Sequence, residues 1–237
     1  MSRKWRGEGV QHQGARPYQE DAWALKPMAD GTLLAIVCDG MGGHAGGAVA
    51  SRLAVDAFVK VVAGEGRTLL DGLTAANEAV GTSAAAKVEL AGMGTTLVAA
   101  IIGNDDVSWI SVGDSPFYLI ADGQLARLNA DHSMVPQIEA LVARGILTRD
   151  EAEHHPGRHT LREAVMGDPL NLIDRGTRRL PTDARLLLCS DGVQTLVDAD
   201  LLARGNAGPA RKLVEAVLAV REPHQDNITV VLVERDK

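Results

Sequence analysis

Short apolar runs, most closed by glycine or a carboxylate, punctuate this chain, and between them apolar positions recur every three or four residues. The runs at residues 32–38, 95–102, 107–112, 117–121, 185–190 and 228–233 predict strands buried on one or both faces. Residues 7–13 and 21–28 predict two more, on either side of a turn at Arg16-Pro17-Tyr18. Ala50, Leu53, Ala54, Ala57, Phe58 and Val61 form one stripe of a helix over residues 48–62. Leu69, Leu73, Ala76 and Val80 predict a second over 68–90. Ala210, Leu213, Val214, Val217 and Leu218 predict another over 207–221. Shorter helices are expected at 133–144 and 148–153, leading into a polar loop at 154–159. Strands come in groups with helices between them, not in strict βαβα alternation. That order predicts an α+β fold, with packed sheets and helices outside. No linker-like composition or internal repeat divides the chain, so one domain over residues 1–237 is expected.

Composition narrows the function. Hydrophobic residues make up 46% and charged residues 23% of 237, ordinary for a folded domain, while aromatics at 3% leave the core to aliphatic side chains. A net charge of −7 argues against nucleic acid as partner, because a phosphate backbone demands a basic face. It leaves phosphorylated substrates open, since bound cations reverse the sign of a cleft. No apolar run is long enough for a membrane span, and the basic N-terminus leads into no secretory segment. Two cysteines, Cys38 and Cys189, make a disulfide framework unexpected and a reducing cytoplasm the default location.

Two of the apolar strands run straight into Asp-Gly: Asp39-Gly40 after Cys38, and Asp191-Gly192 after Cys189-Ser190. A carboxylate so placed sits at a sheet rim on rigid backbone. Asp21, after Glu20, opens one strand, and Asp226-Asn227 precedes the last. Converging carboxylates repel unless a cation neutralises them. An oxygen-only ligand set selects Mg²⁺ or Mn²⁺ over zinc, and two such ions can activate water and clamp a phosphate. Any one of these acids taken alone is equally a turn or helix cap.

The ordered segments Arg16-Pro-Tyr-Gln-Glu20-Asp21, Asp39-Gly-Met-Gly-Gly-His44, Gly94-Thr-Thr96, Gly113-Asp114-Ser115, Asp131-His-Ser133, Cys189-Ser-Asp191-Gly192 and Asp226-Asn227-Ile-Thr229 resemble the signatures of the PP2C-type (PPM) metal-dependent protein phosphatases in their bacterial form. The resemblance spans nearly the whole chain. It implies a four-layer β-sandwich of two antiparallel sheets flanked by helices, and hydrolysis of phosphoserine and phosphothreonine at a dinuclear Mn²⁺ or Mg²⁺ centre. Asp39 would bridge both ions, helped by the Gly40 carbonyl; Asp191 and Asp226 would share one ion, and Glu20 and Asp21 would hold the other directly or through water. Asp114 would serve a third, weaker ion. Arg16 would clamp phosphate and His44 would protonate the leaving oxygen. Residues 133–168 would form the flap, and the partners would be phosphorylated proteins, among them a Ser/Thr kinase and its substrates. Gln19, Pro116 and Glu163 depart from the family pattern, the last two in segments that pack strands and attach the flap.

Other chemistries fit less well. Gly40-Met-Gly42-Gly-His-Ala45 matches a dinucleotide fingerprint, but Asp39 would crowd a pyrophosphate and no acidic strand end follows at about 20 residues. Six residues after the two cysteines stand His44 and Thr195, not the arginine of a cysteine phosphatase, and no G-x-S-x-G elbow is present. Asp131-His132-Ser133 reads as a helix start, since adjacent residues cannot face one another as a triad. His154, His155 and His159 lack the partners of a closed zinc site. The alternative function is a catalytically weak PP2C-like regulator that binds phosphoproteins.

Overall fold

The structure, a computed structural model, describes residues 5–42, 45–196 and 209–236. Its strands are β1 (Trp5–His12), β2 (Asp21–Pro27), β3 (Leu33–Met41), β4 (Gly94–Thr95), β5 (Leu97–Ile102), β6 (Asp106–Val112), β7 (Phe117–Ala121), β8 (Gln124–Arg127), β9 (Asp174–Arg179), β10 (Arg185–Cys189) and β11 (Ile228–Arg235). The helices are α1 (Ala45–Val62), α2 (Leu69–Ala86), α3 (Val135–Ala143), α4 (Arg149–Glu153) and α5 (Ala210–Ala219). Two antiparallel sheets form, one in the order β1-β11-β10-β7-β8 and the other β2-β3-β5-β6-β9, with β4 added to β3.

Alternation along the strands stacks these sheets. Leu33, Ala35 and Val37 of β3 meet Phe117, Leu186, Leu188, Val231 and Val233 of the facing sheet, while Leu34, Ile36 and Cys38 turn the other way onto α1 and α2. Residues 33–38 are apolar without interruption because both faces of β3 are covered. The opposite face of the β10–β11 sheet packs on α5 through Cys189, Ile228 and Val230. The layers therefore run helices, sheet, sheet, helix, as the resemblance implies.

Elements with weak apolar signals are the ones that hydrophobic patterning misses. β8 and β9 are edge strands, and Asp-Arg-Gly-Thr-Arg-Arg in β9 has no apolar side chain at all. The second helix ends at Ala86, not at 90, and a single 3₁₀ turn follows at Val88–Leu90. At its start Thr68 accepts from Asp71 N, and the Asp71 carboxylate accepts from Thr68 N. This reciprocal cap satisfies two otherwise orphaned donors. Thr68→Ala is expected to lower the unfolding free energy by about 1 kcal/mol, read from the urea midpoint.

Candidate metal centre

One end of the sandwich collects the acids. Asp39, near the end of β3, stands directly opposite Asp21, the first residue of β2. Directly opposed residues share a face with Cβ atoms about 5 Å apart. Asp191 lies two residues past the end of β10 and Asp226 two before β11, and those strands are antiparallel neighbours, so both acids emerge at one edge. Asp114 follows β6 by two residues. A cleft of about 490 Å³ results, lined by Arg16, Glu20, Asp39, Gly40, Asp114, Asp191 and Asp226, with Met41, Gly42, Thr96, His159, Leu161 and Asn227 completing its wall. Asp21 lies behind this surface, buried. His44 falls outside the described residues.

Polar residues that the motifs leave without a role hold these acids in place. Thr96 Oγ1 accepts from Asp39 N at 3.0 Å, and Thr95 Oγ1 and Thr96 N both donate to Asp39 O at 2.8 Å. Gly94-Thr95-Thr96 is therefore a backbone clamp on Asp39. Ser190 and Thr229 donate to Asp21 Oδ2 at 2.8 and 2.7 Å, which ties one sheet to the other. Asn227 accepts from Glu20 N and donates to Gln13 O and Tyr18 O, fixing the loop that carries Arg16. Arg127 Nη2 donates to Asp114 O, and His132 N donates to Gly113 O. Asp131 and Ser133 accept from nearby backbone N–H groups ahead of α3, as a helix entry should. Sequence position could have raised Ser190, which adjoins Asp191, and Thr229, three residues after Asp226, whereas Thr95 and Thr96 adjoin no acid and meet Asp39 only through the fold.

Gly40 is required by close approach. A Cβ there would lie 2.2 Å from Gly47 O and 2.5 Å from Glu20 O. The departures from the family pattern also have structural roles: Gln19 accepts from Asp21 N, Pro116 O accepts from Cys189 N, and Glu163 accepts from Asn171 N and Leu172 N. Of the three loop histidines, His154 and His155 bond locally to Asp150 O and Gly157 N, and only His159 reaches the cleft.

Electrostatically the site is short of positive charge. Burial, then repulsion from Asp21, Asp191, Asp114 and Asp226, raises the Asp39 carboxyl well above its usual range. Burial lifts Asp21 to about 6, despite the bonds from Thr229 and Ser190, and lifts Asp114 to about 7, with repulsion from Asp191 the next cause. Asp191 is raised by burial and by Asp226; a hydrogen bond with Asp39 and the proximity of His159 and Arg16 offset part of this. Arg16 Nη2 pairs with Asp226 Oδ2 at 2.6 Å.

These residues fit hard divalent cations. The donors of the motif residues Glu20, Asp39, Gly40, Asp114, Asp191 and Asp226 are all oxygens, the carboxylates repel one another, and Asp21 Oδ1 is buried with no hydrogen-bond partner among the described residues. Among those residues no three His, Cys, Asp or Glu side chains close around a single point. Cys38 and Cys189 are fully buried beside the ligand loops, and burial pushes the first thiol well up and the second to about 12. Neither is poised as a nucleophile or redox sensor.

The chain matches the family model described as Protein phosphatase 2C over residues 7–230. It is 37% identical over 216 residues to the serine/threonine protein phosphatase PstP of Mycobacterium tuberculosis, which covers 86% of this chain but only 40% of that protein's length. Against the serine/threonine phosphatase stp of Listeria welshimeri it is 34% identical over 234 residues, covering 93% of this chain and 92% of that one. A crystal structure of the catalytic domain of PstP in complex with two manganese ions superposes with a TM-score of 0.79 at 30% identity, covering 98% of this chain and 99% of that one.

Proposed function

Because this chain belongs to the protein phosphatase 2C family, we propose that it hydrolyses phosphoserine and phosphothreonine in proteins by direct attack of water on phosphorus. The observation that carries this reading is the cleft in which Asp39, Asp191, Asp226 and Asp114 gather beneath an arginine. Asp39 would bridge two ions, with the Gly40 carbonyl beside it; Asp191 and Asp226 would hold one, and Glu20 and Asp21 the other, directly or through water. Asp114 would serve a third. Bound Mn²⁺ or Mg²⁺ supplies Lewis-acid polarisation of the phosphoryl oxygens and lowers the pKa of water.

The protein's own groups do the rest. Arg16 spends one Nη2 contact on Asp226 and keeps its other N–H groups for two phosphoryl oxygens, a geometry its planar fork matches. His44 is the expected proton donor to the leaving serine or threonine oxygen, and His159 brings a second imidazole to the cleft from the loop between α4 and β9. Residues 133–168 form the flap over the cleft. The setting is a bacterial cytoplasm, with a Ser/Thr kinase and its substrates as partners. No described helix is long and apolar enough to cross a membrane.

Turnover of p-nitrophenyl phosphate and of a phosphoserine peptide is expected to require added Mn²⁺ or Mg²⁺. Absence of turnover across a full titration of both ions would leave only a phosphoprotein-binding regulator. Arg16→Ala, assayed at saturating Mn²⁺, is expected to raise KM by roughly tenfold or more with a smaller change in kcat, the weight of a charge-assisted hydrogen bond. An unaltered KM would contradict the clamp.

A further inference from the structure

The helical layer stops short of one edge of its sheet. Between the start of α2 and the strands β5, β6 and β9 lies a groove of about 540 Å³, larger than the acidic cleft. Its walls include Leu69, Leu70, Ile101, Ile110, Arg175 and Thr177, and Leu70 is 42% exposed. A hollow of about 390 Å³ continues from Leu70 along α2 to Leu170 and Ile173.

The outer wall of the groove is a bare sheet edge. Among the described residues β9 pairs with β6 and with no other strand. Arg175 stands opposite Ile110, Thr177 opposite Ser108 and Arg179 opposite Asp106, which puts these three on the groove side, while Arg178 faces the other way. All three arginines are exposed, and none forms a salt bridge among the described residues. The one acid on the strand, Asp174, is engaged by Trp109 Nε1 at 2.8 Å. A chain of net charge −7 thus keeps three unpaired guanidinium groups on one open edge beside an apolar groove. Charge by itself would deter edge-to-edge aggregation, but that purpose needs no groove.

We propose that this edge docks an acidic, extended segment of the phosphoprotein substrate. The segment adds to β9 through main-chain hydrogen bonds, seats an apolar side chain opposite Thr177 against Leu69 and Leu70, and sets carboxylates against Arg175 and Arg179 on that face and against Arg178 on the other. Asp174 pairs with Ser111, three residues before Asp114, so the strip starts near the catalytic end and runs away from it. The inference rests on the phosphatase reading above and deepens it by naming a class of substrate.

The test uses the full chain with Mn²⁺ and three substrates: p-nitrophenyl phosphate, a phosphoserine peptide extended by Glu-Glu-Leu-Glu-Glu, and the same peptide with lysine for glutamate. The acidic peptide is expected to have the higher kcat/KM by about tenfold at low salt, the sum of a few exposed charge pairs. The triple variant R175E/R178E/R179E should lose that preference with p-nitrophenyl phosphate turnover unchanged, and Leu70→Asp should lower kcat/KM for the acidic peptide alone. Equal use of both peptides by the unmodified protein, or a preference that survives charge reversal, overturns the proposal. If none of the three substrates turns over, the phosphatase reading fails instead. Fluorescence anisotropy with the unphosphorylated acidic peptide then decides the groove separately: saturable binding lost in the triple variant supports it, and no binding overturns it. A dimer in sedimentation that Leu70→Asp dissolves would give the groove to a second copy of the chain, and also overturns it.

Discussion

Asp39→Asn is expected to lower kcat on p-nitrophenyl phosphate by more than about 100-fold while leaving the chain folded. Loss of a residue that merely orients a metal ligand already costs about 10–100-fold, and Asp39 is the proposed bridge between two ions. The neutral amide keeps the shape, and the backbone clamp from Thr95 and Thr96 does not involve the side chain. The metal-free variant should also be more stable than the metal-free parent, by on the order of 1 kcal/mol or more at neutral pH, because one of several mutually repelling carboxylates has gone. Activity retained within a few-fold of the parent would refute the bridging role, and a lower urea midpoint in chelator would refute the repulsion.

The same repulsion sets a pH dependence whose direction is unusual for a protein rich in acids. In chelator, the unfolding free energy should fall as pH rises from about 4 to about 7. Burial raises Asp21 from 3.8 to about 6 and Asp114 from 3.8 to about 7. In the unfolded chain both ionise near 4, so between those values the native state holds more protons and loses stability with each step upward in pH. The stabilisation is whole below about pH 4 and is lost as pH passes through the folded values. Each carboxyl that stays protonated only in the native state costs about 1.4 kcal/mol for every pH step of one, so the two together lose several kcal/mol. Saturating Mn²⁺ should remove the slope, since it binds the ionised form, and at about 100 times Kd it adds about 2.7 kcal/mol. Urea unfolding at about pH 5 and about pH 7.5, each in chelator and in Mn²⁺, reads all four values. A midpoint in chelator that is equal at both pH values, or higher at the upper one, would contradict the arrangement.

Much of this was legible in the residues because burial writes a strong signal. The uninterrupted apolar run before Asp39 requires a strand covered on both faces, and Asp-Gly at its end fixes where the acid stands. Edge strands write almost none: β9 carries no apolar side chain, and Trp109 lies over its Gly176 while Ser108 and Thr177 share a hydroxyl contact. The supporting hydrogen bonds of the site were hidden for another reason. Thr229 meets Asp21 across 208 positions and Asn227 meets Glu20 across 207, separations that no local pattern encodes.

Those separations have a consequence for how the protein comes into being. β1 is zipped along its whole length to β11, from Trp5 opposite Arg235 to His12 opposite Ile228. The acids of the cleft likewise come from both ends of the chain. Synthesis that has reached only residue 200 has produced Asp21, Asp39 and Asp191, but neither Asp226 nor the strand that anchors β1. Pairing of such distant segments is slow relative to local structure. Closure of the acidic cleft is therefore a late event in the folding of this domain, because it waits for Asp226 and for the pairing of β1 with β11.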